Sequence, residues 1–211
     1  MIYRRVIAAS MMALAVSGCA TVETATRNAP LEQQTITPAP LSLNVQDVRV
    51  SVPASLTVSE ANRYYPGGDI VWREDPRGDR HAQVKAIVEA GLREGIAQLP
   101  QGGVPVILDV EVTRFHALTE KARYTIGGVH AIQFNMVLRN PETGEAYGEP
   151  HFVKADFKAL GGQAAIQAES QGATQKYRIT KQLAKVIQTE LTSADGYQAA
   201  NLGFLGALNQ L

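Results

Sequence analysis

The chain of 211 residues contains a single cysteine, Cys19, and this scarcity excludes several kinds of site. One cysteine cannot form an intramolecular disulfide or a cluster of thiolate metal ligands. If its thiol is covalently modified, it cannot act as a nucleophile either. The chain also has no excess of charge of either sign, since it contains 20 basic and 20 acidic residues. A neutral chain has no positive field for nucleic acid, so no nucleic-acid partner is expected.

Sequence motifs for catalysis and metal binding are missing as well. The four histidines show no spacing such as His-x-His or HExxH, and isolated histidines of this kind are expected at the surface. The sequence has no Gly-x-Ser-x-Gly elbow and no phosphate-binding loop. We therefore expect no metal, no cofactor and no enzymatic activity.

A long apolar run occurs at the N-terminus. Arg4 and Arg5 precede residues 6–16, which are apolar except for Ser10. This run is shorter than the roughly 20 residues that a transmembrane helix needs. The pattern predicts a secretory signal peptide over residues 1–18.

Val-Ser-Gly-Cys, residues 16–19, resembles the lipobox of bacterial lipoproteins. The resemblance implies a diacylglyceryl group on the thiol of Cys19, cleavage before Cys19 and acylation of the new amine. Two or three acyl chains anchor a protein firmly on a membrane without crossing it. Ala20 follows, and an aspartate there retains such lipoproteins in the inner membrane. The resemblance thus implies the periplasmic face of the outer membrane, while an ordinary signal peptide remains the alternative.

The segment after the predicted lipid anchor differs in composition from the rest of the chain. Residues 19–40 are rich in Thr, Ala and Pro and show no hydrophobic periodicity. They predict a lipidated cysteine followed by a flexible tether. As a coil the tether spans on the order of 25 Å, and fully stretched it reaches about 70 Å.

Residues 41–194 show strand and helix periods in turn. In the first strand the apolar phase slips between Val45 and Val48, which indicates a bulge. Two later segments alternate cleanly between apolar and polar residues and predict half-buried strands. Their inward faces are Val106, Leu108, Val110 and Val112, and Ile132, Phe134, Met136 and Leu138. A final strand over about residues 146–157 should return antiparallel.

Two segments carry the helical period, 80–99 and about 174–191. The first follows Asp75-Pro76, a typical N-cap and first helical residue, with Asp79 as the alternative N-cap. Gly91 and Gly95 lie in its apolar stripe and should let the backbone approach the sheet. The order of elements predicts an α+β fold. We expect a two-layer sandwich, with two amphipathic helices on one face of a mostly antiparallel sheet of four or five strands and a polar opposite face.

The stretch IVWREDPRGDRHAQV, residues 70–84, holds the only tryptophan among many charges. A charge-dense helix start explains it without any function, and its Arg-Gly-Asp triplet is short enough to occur by chance. A second interpretation is a partner-binding cluster, because aromatic and arginine side chains are typical of hot spots. The candidate residues are Tyr64, Tyr65, Trp72, Arg73 and Arg77. Alternatively, Trp72 fills the edge of the sheet.

The C-terminal segment, residues 195–211, is apolar after Asp195. Phe204, Leu205 and Leu208 recur at short helical spacing and are further candidates for partner binding. Two interpretations stay open: the segment packs across its own domain, or it docks into a partner groove as amphipathic helices do.

The lipobox, the stretches SLTVSEANRYYP and DIVWREDPRGDRHAQV, and the strands together resemble a family of uncharacterised Gram-negative outer-membrane lipoproteins, a domain of unknown function. This resemblance implies no activity. The order of elements, with VPVILDVEVTRF after a helix, is also loosely similar to auxiliary lipoproteins of ABC-type lipid transport. Only the lipidated Cys19 can be carried over from these families.

The function expected from the sequence is a non-catalytic binding or assembly component of the cell envelope, docked to an envelope protein complex and held by its lipid anchor. Two alternatives stay open. One is an envelope-acting hydrolase that uses Asp109 with Glu111, or Asp75 with His81. The other is a purely structural envelope factor.

Overall fold

The computed structural model describes residues 42–202. The predictions for Cys19, the signal peptide, the tether and the end of the C-terminal segment lie outside these residues. The described part contains six strands and four helices. In chain order they are β1 Leu43–Ser51, β2 Ile70–Val71, α1 Arg80–Ile96, β3 Val104–His116, α2 Glu120–Arg123, β4 Gly128–Arg139, β5 His151–Lys154, β6 Phe157–Ala159, α3 Gly162–Ser170 and α4 Gln175–Thr192.

The sheet has the strand order β1-β3-β4-β5, with β2 paired to β3 and β6 paired to β4. Strands β1 and β2 run parallel to β3, because α1 returns the chain before β3 begins. Strand β4 runs antiparallel to β3, β5 and β6. The predicted α+β class is confirmed, but the sheet is mixed and has six strands instead of four or five.

The alternation in the sequence predicts the buried sheet face well. All of the inward residues expected on β3 and β4 are buried, except Leu138, which packs on the core from a partly buried position. The register of β1 against β3 shifts between Val45 and Asp47, which confirms the predicted bulge.

The expected last strand is broken into pieces. Ala146 makes an isolated bridge to Arg139, and regular pairing resumes only at β5. Gly148 and Pro150 lie between them, and both residues weaken a strand. Between β5 and β6, the Asp156 carboxylate accepts from the backbone N–H of Ile132 at 3.0 Å. A side chain thus takes the place of a ladder hydrogen bond at this break.

The two predicted amphipathic helices form close to their expected bounds. Thr174 caps α4, with its hydroxyl accepting from Tyr177 N. The N-cap of α1 is Asp79, whose Oδ1 accepts from Ala82 N at 3.1 Å. The prediction of Asp75 as the N-cap is wrong, because the Asp75 carboxylate accepts hydrogen bonds from Trp72 Nε1 and Lys176 Nζ instead. Helices α2 and α3 were not expected.

Helices α1 and α4 cover one face of the sheet and contact each other closely at Gly91 and Gly95. A Cβ at Gly91 would lie 2.7 Å from Leu183 Cβ, and one at Gly95 would lie 2.8 Å from Ala184 Cα. Real atoms do not approach so closely. The glycines therefore bring α1 against α4, and the expectation that they serve contact with the sheet is wrong.

We expect Gly95→Ala to destabilise the domain by about 1–3 kcal/mol or more, because the added methyl group would press on the backbone of α4. Gly103→Ala is the matched control, since a Cβ there meets nothing within 4 Å. Urea unfolding of both variants measures the difference. Equal unfolding midpoints would contradict the close helix contact.

Candidate functional site

The sheet face opposite the helices carries a groove of about 380 Å³. Register places Ser51, Glu111, Asn135 and Phe152 in one row across four strands. A second row holds Arg49, Asp109 and Val137. This is the polar sheet face that the alternation predicts, and the groove occupies the middle of it.

Two charged side chains of the groove form a tight ion pair. Arg139 Nε donates to Asp109 Oδ2 at 2.6 Å, and the same guanidinium donates to the Gly144 carbonyl at 3.2 Å. The other carboxylate oxygen, Asp109 Oδ1, is buried and accepts no hydrogen bond from the described residues. A buried acceptor of this kind is costly unless a donor reaches it. Because this oxygen is covered by other protein atoms, a molecule in the groove would meet the rest of the Asp109–Arg139 ion pair and not this acceptor.

Two polar side chains of the groove that could take part in catalysis have other partners. The Asp109 carboxylate is held by Arg139, and Ser51 Oγ donates to the Val110 carbonyl at 3.3 Å instead of to a base. The alternative hydrolase pair is separated by its contacts. Asp75 pairs with Lys176, whereas His81 Nε2 lies 3.1 Å from the Leu56 carbonyl.

A second cleft, of about 340 Å³, lies beside the start of α1 and contains much of the charged stretch that the sequence singles out. Its charges are paired with each other. Arg73 Nε meets Glu120 Oε2 and Arg80 Nε meets Glu60 Oε1, both at 2.6 Å. Arg80 is buried and also donates to the carbonyls of Asp75 and Pro76. These bonds tie loops to α1 and α2, so the charges act as structural links.

The candidate cluster around Trp72 does not form one exposed patch. Trp72 is fully buried, and its ring meets Phe115 edge-on at 5.9 Å between centroids. It therefore presents no surface to a partner, and Arg73 is mostly buried in its ion pairs. Tyr64 is 38% exposed, Tyr65 is 61% exposed and Arg77 is exposed.

The remaining candidates, Phe204, Leu205, Leu208 and the lipidation residue Cys19, lie outside the described residues. The sequence interpretation did not name the groove residues Ser51, Asn135 and Arg139 as a site. Their signal was present, because Asn135 and Arg139 occupy outward positions of the alternating segment. Only the register between strands shows that they meet Asp109 and Glu111.

Two histidines are buried, contrary to the expectation of surface histidines. His116 Nε2 lies 2.7 Å from the Gly68 carbonyl, and burial together with the Arg114 charge lowers the pKa of His116 to about 4. His130 is fully buried. Burial and the charges of Arg178 and Arg123 lower its pKa to about 3. Both imidazoles are therefore neutral at neutral pH.

Within residues 42–202, no group of three or more His, Cys, Asp or Glu side chains is arranged to hold a metal ion. In the same part of the chain, no helix has the length and hydropathy needed to cross a bilayer.

Comparison with protein families adds to this geometry. Residues 43–207 match the model of a family of unknown function, DUF6778. The chain belongs to this family. The match includes every strand and helix described above and extends a few residues beyond the described part, into the apolar C-terminal segment. No curated protein matches the chain.

Several solved structures are similar to the chain at low levels. A candidate lipoprotein from Caulobacter crescentus CB15 is 18% identical, with a TM-score of 0.34, over 52% of this chain and 80% of that protein. Protein XCC0632 from Xanthomonas campestris, of family DUF330, is 12% identical, with a TM-score of 0.40, over 70% and 86% of the two chains. At TM-scores this low, no function is transferred from these proteins.

We expect stability to fall as the pH drops from 7 to 5, because the unfolded histidines take up protons near pH 6.5 while His116 and His130 stay neutral. Each should cost roughly 1–2 kcal/mol over this range. His130→Phe should therefore lose less stability between the two pH values than the wild type does, measured as urea midpoints. Gly103→Ala, which removes no titratable group and adds a Cβ that meets nothing within 4 Å, is the control and should keep the wild-type slope. An unchanged slope in His130→Phe would count against a neutral buried imidazole.

Proposed function

We propose that this protein is a lipid-anchored lipoprotein at the periplasmic face of the outer membrane and that its domain is a non-catalytic binding module of the cell envelope. The observation that carries the proposal is the open sheet face with its groove of about 380 Å³. Helices α1 and α4 pack on the opposite face, so neither of the two long helices of residues 42–202 covers the groove.

The chemistry of the open face supports binding. Phe152 is 51% exposed at the end of a polar row, and Val137 and Pro150 line the groove beside Arg49 and Arg139. Exposed aromatic and arginine side chains are enriched at protein interfaces. We propose an envelope protein complex as the partner, and a lipid-transport assembly is one complex of this kind.

The anchor rests on the sequence. The short apolar run, the lipobox-like residues 16–19 and the lone Cys19 support lipidation, and Ala20 in place of aspartate supports the outer membrane.

Growth with a clickable palmitate analogue tests the anchor. The wild type should carry the label, whereas Cys19→Ser should carry none and should retain the mass of residues 1–18. Ala20→Asp should keep the label but move the protein from outer-membrane to inner-membrane fractions of a density gradient. A labelled Cys19→Ser protein would exclude lipidation at this residue.

Site-specific photo-crosslinking in intact cells tests the binding face. A photo-reactive amino acid at Asn135, in the groove, should give discrete adducts, and the additional change Arg49→Glu should weaken them. The control is the same probe at Lys185, exposed on α4 of the helix layer. Adducts of equal strength from both positions, or from neither, would argue against the open face as the binding surface.

A further inference from the structure

Four unsatisfied polar atoms surround one small cavity between α3 and β4. They are Arg123 Nε, Glu169 Oε1 and both ring nitrogens of His130, and each is buried without a hydrogen-bond partner among the described residues. His130, Arg123 and Glu169 all line this cavity, which measures about 10 Å³. Buried polar atoms are rarely left without partners, so such a concentration at one place points to a bound molecule.

The size of the cavity restricts what can bind. The cavity volume is the space open to the centre of a water-sized sphere, and roughly 10–15 Å³ of it holds one water molecule. Ala165, Ala168 and Ala173 form part of the wall, and their small side chains leave this space next to the polar atoms. A carboxylate or phosphate group would not fit without moving α3.

Charges of both signs line the cavity, namely the guanidinium groups of Arg123 and Arg178 and the carboxylate of Glu169. Arg178 already donates to the Lys158 carbonyl at 3.0 Å. Arg123 already has two carboxylate partners, Glu74 at 3.3 Å and Glu169 at 3.1 Å. The Glu169 oxygen that forms this ion pair accepts no directed hydrogen bond, and it faces the same space. An anion beside a buried carboxylate oxygen would be repelled. A water molecule can accept from one group and donate to another.

We propose that this cavity is a binding site for one structural water molecule, which accepts a hydrogen bond from Arg123 Nε, donates one to Glu169 Oε1 and makes a third to a ring nitrogen of His130. Three hydrogen bonds are usual for a buried water. The two imidazole nitrogens point in different directions, so one water serves only one of them. The site is separate from the groove and does not depend on the proposed function.

The position of the water explains how α3 is held. Ala165 is the one buried residue of this helix, so few apolar contacts attach it. Tyr124 donates its hydroxyl proton to Glu169 Oε2 at 3.2 Å, and the water would bind the other oxygen of the same carboxylate. The water thus links α3 to α2 and β4 through polar bonds that replace a missing apolar contact.

A crystal structure of the mature chain that resolves ordered solvent tests the site directly. We expect a peak within hydrogen-bond distance of Arg123 Nε and Glu169 Oε1. The absence of such a peak, or a His130 ring bonded to protein groups instead, would overturn the proposal. Crystals grown with sodium bromide distinguish water from an anion, because an anomalous bromide signal at this position would also overturn it.

Stability measurements add a test in solution. Ala168→Leu should displace the water and lower Tm by about 4 °C or more, since polar atoms would lose their partner. Ala164→Leu, the same change at an exposed position of α3, is the matched control and should alter Tm little. Because the leucine side chain is larger than the cavity, crowding alone would also lower Tm, so the two causes have to be separated in a second background.

The background variant His130→Phe separates water displacement from steric crowding. Its ring can retain the contact with Phe157 but removes both nitrogens. If the water serves His130, the difference between Ala168→Leu and Ala164→Leu should become smaller in this background. A difference that is unchanged or larger would indicate crowding alone and would contradict the bridging role.

Discussion

The close contact between α1 and α4 determines how the rest of the domain is arranged. Gly91 and Gly95 present no side chain of their own, so the backbone of α1 lies directly against Leu183, Ala184 and Ile187 of α4 and both helices can pack on the same face of the sheet. Their apolar stripes bury the inward residues of β1, β3 and β4 in one core. Because both long helices lie on that face, the opposite face stays open. The groove is therefore a consequence of helix packing as much as of its own side chains.

The two charged regions of the domain, the cleft beside α1 and the groove on the sheet, differ in how far their side chains are exposed. Beside α1, Arg73 and Arg80 meet Glu120 and Glu60, and the buried guanidinium of Arg80 is surrounded by acceptors. Removing one partner from such a buried network destabilises the fold by more than the ion pair itself contributes to stability. This favours a structural role for these charges. The open sheet face, by contrast, exposes the side chains of Phe152 and Arg49. Exposed aromatic and arginine side chains suit contact with a partner, and this difference favours the groove over the more charged cleft.

Local patterns in the sequence predicted the features that depend on residues close together in the chain, such as strand faces and helix starts. The alternation in β3 and β4 identified the core face, and Thr174 marked the start of α4. Contacts between distant residues were not predictable. Asp75 has the sequence context of an N-cap, but Trp72 and Lys176, the latter 101 residues away, take its carboxylate and leave Asp79 to cap α1. The pairing of Arg139 with Asp109 and the burial of His130 depend on register and packing in the same way.

The position of the groove also bears on how a tethered domain would meet a partner. Strand β1 starts at Leu43, directly after the proposed tether, and reaches the groove at Arg49 and Ser51. Eight residues of strand span about 26 Å. If Cys19 carries the anchor, residues 20–42 and most of β1 lie between the anchor and the groove along the chain. The groove residues therefore belong to the folded domain itself, and the proposed tether contributes none of them.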